Sequence, residues 1–113
     1  MITIPLTQNL WAIVDITDYE ELSKHKWFAK KTTIKTYTYG SYYAARSKKV
    51  DGKVKTIYMH REITNCPDDK EVDHINRNTL DNRRENLRVS TRAENMANRT
   101  QAYRNHKHRK EKL

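Results

Sequence analysis

Ile2, Ile4 and Leu6 alternate with polar residues, and Trp11 to Val14 is a compact apolar run, so the chain is expected to open with two short strands. Asp18 is placed to cap a brief helix through Leu22, and Trp27-Phe28-Ala29 reads as the next strand. Asp51-Gly52 lies between the Tyr- and Thr-rich stretch from Tyr37 to Arg46 and the run Val54 to Tyr58, a strong signal for a two-residue hairpin turn. Met59 to Asn65 either continues that strand or forms a short helix, and Pro67-Asp68-Asp69 ends it. A strand is predicted over Glu71 to Ile75. From Asn76 to Asn86 there is no hydrophobic period but an abundance of Asn, Asp and Arg, as in a loop closed by side-chain hydrogen bonds. Leu87 to Val89 forms a further strand. Thr91 and Glu94 have capping-box spacing, which predicts a helix to about Tyr103 with Asn95 and Asn98 on one face. The fold class is α+β: an N-terminal antiparallel sheet with a short helix over residues 1–66, a strand–loop–strand–helix unit over 67–104, and a basic tail over 105–113.

Charge sharpens this picture. The chain of 113 residues carries a formal net charge of +9, yet residues 1–23 contain Asp15, Asp18, Glu20 and Glu21 and no Lys or Arg. All 23 basic side chains therefore fall in the remaining residues, where they face ten acidic ones. A pI near 9.7 with that asymmetry favours an anionic polymer as partner, and nucleic acid is the commonest. With 35% hydrophobic residues and 33% charged ones, a large internal cavity for an apolar substrate is not expected, and the partner should bind at the surface. No basic amphipathic helix, signal peptide or transmembrane run is evident, so neither a membrane nor export is expected and the protein should remain in the cytoplasm. Cys66 stands alone, which excludes an internal disulfide and a four-cysteine zinc site. Any metal must use oxygen and imidazole ligands.

The chemistry concentrates in Val72-Asp73-His74-Ile75-Asn76, Asp81-Asn82-Arg83, Glu85-Asn86-Leu87-Arg88 and Glu94-Asn95 with Asn98. These blocks resemble the HNH endonucleases, and in particular small phage and intron-associated members whose third motif position is Asn. Trp27, Tyr43-Ala44-Ala45 and Tyr58 to Ile63 also resemble the upstream part of such proteins, several of which carry an AP2-like DNA-binding sheet. The resemblance implies a ββα-metal module. It implies His74 as general base, Asn86 as the amide that ties the loop and orients the base, with Asn82 as rival, and Asp73 with Asn95 as ligands of one divalent ion. An imidazole with an ordinary pKa near ~6.5 is mostly unprotonated at neutral pH and able to take a proton from water. Carboxylate and amide oxygens are hard donors that favour Mg²⁺ or Mn²⁺ over zinc. No organic cofactor is expected.

Arg61, Arg83, Arg84, Arg88 and Arg99 are candidate phosphate contacts, because guanidinium offers planar paired donors. Each near the loop has a competing partner in Asp81 or Glu85. Tyr39, Tyr42 and Tyr43 with Lys48, Lys49, Lys53 and Lys55 make an aromatic and basic hairpin of the kind that enters a DNA major groove, although alternating Tyr also suits a core. His60 is expected to pack rather than to react. His25, His106 and His108 are read as surface residues. The expected function is metal-dependent hydrolysis of double-stranded DNA to 5′-phosphate and 3′-hydroxyl ends by a monomer or weak dimer. The alternatives are a non-catalytic DNA-binding module with a vestigial HNH segment, and an RNA-directed protein.

Overall fold

Alternating apolar positions at the start of the chain pair as expected. In the computed structural model, which describes residues 1–31 and 42–94, β1 (Ile2–Pro5) and β2 (Trp11–Val14) form an antiparallel pair. The inward side chains Ile4, Ala12 and Val14 are buried. A helix, α1 (Ile16–Leu22), follows Asp15, so Asp18 lies inside its first turn rather than at its cap. The Asp15 carboxylate is turned away from the helix to accept the main-chain N–H of Arg84 (2.9 Å), which explains why the cap position carries no side-chain hydrogen bond.

The strand expected to include Trp27 begins one residue later, as β3 (Phe28–Lys31), because the Trp27 indole is turned into the core and donates Nε1–H to the Leu22 carbonyl (2.7 Å). β3 pairs with β4 (Tyr42–Val50), and β4 with β5 (Lys53–Tyr58), to give a three-stranded antiparallel sheet. Asp51 and Gly52 join the last two strands with φ of 51° and 78°, the left-handed pair that a type I′ turn requires and that Gly adopts without strain. The segment after β5 resolves as a helix, α2 (Met59–Thr64), ended by Asn65 in the left-handed conformation. Ile4, Val14, Leu22, Trp27, Ala44, Met59 and Ile63 form one core under these elements, and Leu87 packs against it from the C-terminal half.

The last sheet pairs β6 (Lys70–His74) with β7 (Leu87–Thr91), with His74 opposite Leu87 and Asp73 opposite Arg88. The connecting loop ends in a 3-10 turn, Arg84–Asn86. After β7, residues 92–94 are helical, and the capping box forms as expected: Glu94 N–H donates to Thr91 Oγ1 (3.2 Å) and the Glu94 carboxylate accepts from the Thr91 hydroxyl (2.9 Å). Tyr39, the expected run of a helix to Tyr103, Asn95, Asn98, Arg99 and the basic tail lie outside the described residues.

Candidate active site

The long loop after β6 has no apolar anchor of its own, so its shape has to come from hydrogen bonds, and Asn86 supplies most of them. Its Nδ2 donates to Asn76 Oδ1 (2.9 Å) and to the Asp81 carbonyl (2.8 Å), and its Oδ1 accepts from the Asn76 N–H (2.9 Å). Asn76 Nδ2 in turn donates to Asp81 Oδ2 (2.8 Å). The closed loop is then fixed to the N-terminal half by main-chain bonds on both sides of Asp81: Ile13 N–H to the Leu80 carbonyl (2.8 Å) and Asn82 N–H to the Ile13 carbonyl (2.7 Å). Thr79 Oγ1 donates to the Tyr42 carbonyl.

That docking sets Asn82, which is fully buried, beside His74. His74 Nε2 lies 2.8 Å from Asn82 Oδ1; an amide oxygen can only accept, so Nε2 carries the hydrogen and Nδ1 is the nitrogen left to take a proton. The same bond persists when the ring becomes imidazolium, because Nε2 is a donor in both forms. Behind His74 stands the His60 ring, 5.2 Å away between centroids, with Tyr43 5.9 Å from His74 and both Tyr43 and Tyr58 against His60. Burial holds His60 neutral, its pKa pushed down to about 3 with help from His74 and Arg61, so it packs and does not titrate near neutral pH. Burial also lowers His74, against the opposing pull of the Asn82 bond and of Asp73 and Asp81. His74 is therefore the unprotonated, proton-accepting form at pH 7.

The expected arginines are placed on protein acceptors. Arg83 donates from Nε and Nη2 to the two oxygens of the buried Asp81 (2.8 and 2.7 Å) and from Nη1 to Glu85 (2.6 Å), which holds the Asp81 carboxyl below its ordinary range and raises the guanidinium. Arg84 spans both oxygens of Asp18 (2.9 and 2.7 Å). Arg61 donates to the carbonyls of Pro67 (2.8 Å) and Lys70 (3.0 Å), bracing the turn before β6. Among the described residues Arg88 makes one side-chain hydrogen bond, Nη2 to Asp73 Oδ2 (2.8 Å). Lys48, Lys49 and Lys53 are exposed on the β4–β5 hairpin.

Residues 62–97 match a family model described as HNH endonuclease. This segment is similar to the HNH endonucleases. The match covers about a third of the chain, from within α2 to just past the described residues, and no curated protein or solved structure matches.

Within the HNH segment, the motif histidine and the loop asparagine stand apart in role: Asn86 ties the loop, while the amide that touches His74 is Asn82. Strand alternation places Asp73 and His74 on opposite faces of β6; Val72 and His74 are buried, and Asp73 is half-buried on the face shared with Arg88 and Ser90. Among the described residues no three His, Cys, Asp or Glu side chains stand close enough to hold a metal ion. The donor chemistry nevertheless fits a hard divalent ion: Asp73 offers carboxylate oxygen on a half-open face, and Asp73 Oδ1 has no hydrogen bond among the described residues. The partnership of Asn82 with His74 was legible only as a rivalry between two Asx pairs, and the roles of Asp15 and Asp18 as acceptors for Arg84 carried no local signal. No described helix is long and apolar enough to cross a membrane.

Proposed function

We propose that the protein is a metal-dependent DNA endonuclease that hydrolyses one phosphodiester bond per event, with His74 as general base. The observation that carries the reading is the fixed, neutral imidazole: His74 held through Nε2 by a buried amide, inside a segment similar to the HNH endonucleases. Nδ1 takes the proton of the attacking water, and Asn82 Oδ1 continues to accept from Nε2 as positive charge develops on the ring. Asn86 keeps the loop that presents Asn82 closed. Asp73 and Asn95 are the residues that would hold the ion, and a bound Mg²⁺ or Mn²⁺ supplies Lewis acidity at the phosphate and at the departing 3′ oxygen. The products in this reading are 5′-phosphate and 3′-hydroxyl ends, and a monomer with one such site nicks one strand at a time. Of the arginines expected to contact phosphate, Arg88 is the best disposed to reach one, being half exposed and singly bonded, and the hairpin lysines supply the remaining grip. Arg83 and Arg84 act mainly by holding the loop and Arg61 by bracing the turn before β6, and Arg99 would add charge beyond it.

Plasmid nicking with Mg²⁺ or Mn²⁺ tests this. His74→Ala should lower the rate by roughly 10²- to 10⁴-fold, the usual worth of a general base. Equal nicking by wild type and variant would overturn the assignment. A DNA-binding module without catalysis is the second reading. EDTA separates the two, since a binder keeps its gel shift and never cuts, whereas a nuclease loses cutting.

A further inference from the structure

The turn that leaves β6 carries an arginine unlike the others of the loop in both backbone and side chain. Arg77 N–H donates to the His74 carbonyl (2.9 Å), closing a β-turn over Ile75 and Asn76, and Arg77 itself has a φ of 63°, in the left-handed region. Elsewhere the described chain enters that region chiefly with Asn9, Asp51, Gly52 and Asn65, residue types that adopt it at low cost; arginine does not. The conformation is imposed from both sides. Asn76 Oδ1 accepts from the Asn78 N–H (2.9 Å) as well as from Asn86, Asn78 Oδ1 accepts from the Leu80 N–H (3.1 Å), and the Asn78 carbonyl accepts from the Asp81 N–H (3.0 Å). A strained residue held by so many bonds marks a place where position matters more than stability.

The side chain, in contrast, is tied to nothing. Arg77 is exposed and its guanidinium meets no carboxylate or carbonyl among the described residues, whereas Arg83 and Arg84 are seated on Asp81 and Asp18, Arg61 on two main-chain carbonyls and Arg88 on Asp73. Closure of a β-turn brings its first and fourth Cα atoms within about 7 Å, so this free arginine starts from beside His74. Building on the endonuclease reading, we infer that Arg77 is a catalytic residue whose guanidinium clamps the non-bridging oxygens of the phosphate attacked by the water that His74 activates. A phosphate under attack gathers negative charge on those oxygens, and the parallel N–H donors of one guanidinium match their spacing. With no internal acceptor, Arg77 gives up only water to reach them. The braced backbone fixes the origin of this long side chain to the strand that carries the base, so base and clamp act on one phosphate.

Arg77→Gly in the full chain tests the assignment, because glycine takes the left-handed conformation freely and the change removes the guanidinium without endangering the fold. Single-turnover plasmid nicking with Mg²⁺ at saturating protein should slow by roughly 10²- to 10³-fold, the usual worth of one donor on developing charge. The urea midpoint should equal or exceed that of wild type, and the salt slope for DNA should shrink by ~0.9, one phosphate contact. Guanidinium chloride well below denaturing concentration should restore part of the nicking by Arg77→Gly, and sodium chloride at the same concentration should not. Arg77→Lys should fall between the two, since it keeps the charge without the paired donors. Nicking by Arg77→Gly at the wild-type rate, a loss cured by more protein and so confined to binding, a lowered urea midpoint, or no restoration by guanidinium would each overturn the clamp, while an inactive His74→Ala in the same assay leaves the nuclease reading standing. A wild type that does not nick removes both.

Discussion

In the loop joining β6 to β7, Arg83 grips both oxygens of Asp81 and Arg84 both oxygens of Asp18, whereas Lys48, Lys49, Lys53 and Lys55 on the β4–β5 ribbon meet no carboxylate among the described residues. Both regions are rich in cations, and charge counting alone would assign both to DNA. Pairing separates them. A guanidinium already seated on a carboxylate must break two charge-assisted bonds to reach a phosphate, while an unpaired ammonium gives up only water. The loop's paired charge is structural, and the ribbon's is available.

The largest expected effect tests the available half. Replacing the four ribbon lysines with Gln removes about four phosphate contacts, so the slope of log K against log salt should fall by ~3.6 and affinity near 0.1 M salt by about three orders of magnitude. The melting temperature should hardly move. Fluorescence anisotropy with a labelled duplex across a salt series measures both the slope and the affinity, and a slope equal to wild type would remove the ribbon from the interface.

The opposite pattern is expected in the loop. Arg83→Gln leaves the Asp81 carboxylate, which is 3% exposed, without its charged partner and with Asn76 as its remaining side-chain donor, and should destabilise the fold by about 1–3 kcal/mol in urea unfolding. Its salt slope for DNA should remain that of wild type. A variant of normal stability with a reduced slope would mean that Arg83 leaves Asp81 for the phosphate backbone, and the contrast between the two regions would fail.

How much of this was readable from residues alone follows the reach of each interaction. The Asp51-Gly52 turn and the Thr91 to Glu94 capping box depend on neighbours within three residues, and both formed as expected. The closure of the 76–86 loop by amide side chains was legible in its composition. Its partners were not: Arg84 finds Asp18 across 66 residues, and Asn82 reaches His74 only because the loop docks on Ile13. Asp81-Asn82 and Glu85-Asn86 are equivalent as local sequence, so only the docked backbone decides which amide meets the imidazole. The apolar neighbours of Trp27 suit a strand, but its indole bond to the Leu22 carbonyl keeps it out of β3.

A smaller effect comes from the imidazole pair on which the loop rests. His60 has its pKa depressed to about 3 in the folded protein, against ~6.5 when unfolded, so the unfolded chain binds the extra proton first. The stability it contributes is fully present above pH ~6.5 and is lost as pH falls toward 3, at up to about 1.4 kcal/mol per pH unit. His74, shifted in the same direction, adds to the slope. Urea unfolding between pH 7 and 5 should show this loss, and His60→Leu should reduce the slope whatever it does to the absolute stability. An unchanged slope would place the proton uptake elsewhere.

Arg88 falls between the two regions and yields the smallest and most discriminating expectation. It is cross-strand from Asp73, its side chain is 49% exposed, and it uses one nitrogen on one oxygen where Arg83 and Arg84 use two on two. A half-exposed pair of this kind contributes roughly 0.2–1 kcal/mol, little enough for a divalent ion to displace. The guanidinium and the ion compete for one carboxylate, so Arg88→Gln should tighten Mn²⁺ binding about two- to fivefold by calorimetry without DNA, while lowering DNA affinity about as much as the loss of one phosphate contact. Asp73→Ala should abolish the Mn²⁺ signal in both backgrounds. If Arg88→Gln leaves Mn²⁺ affinity unchanged while Asp73→Ala removes it, Arg88 belongs with the structural arginines, and the lysine ribbon and Arg77 supply cations to the substrate without it.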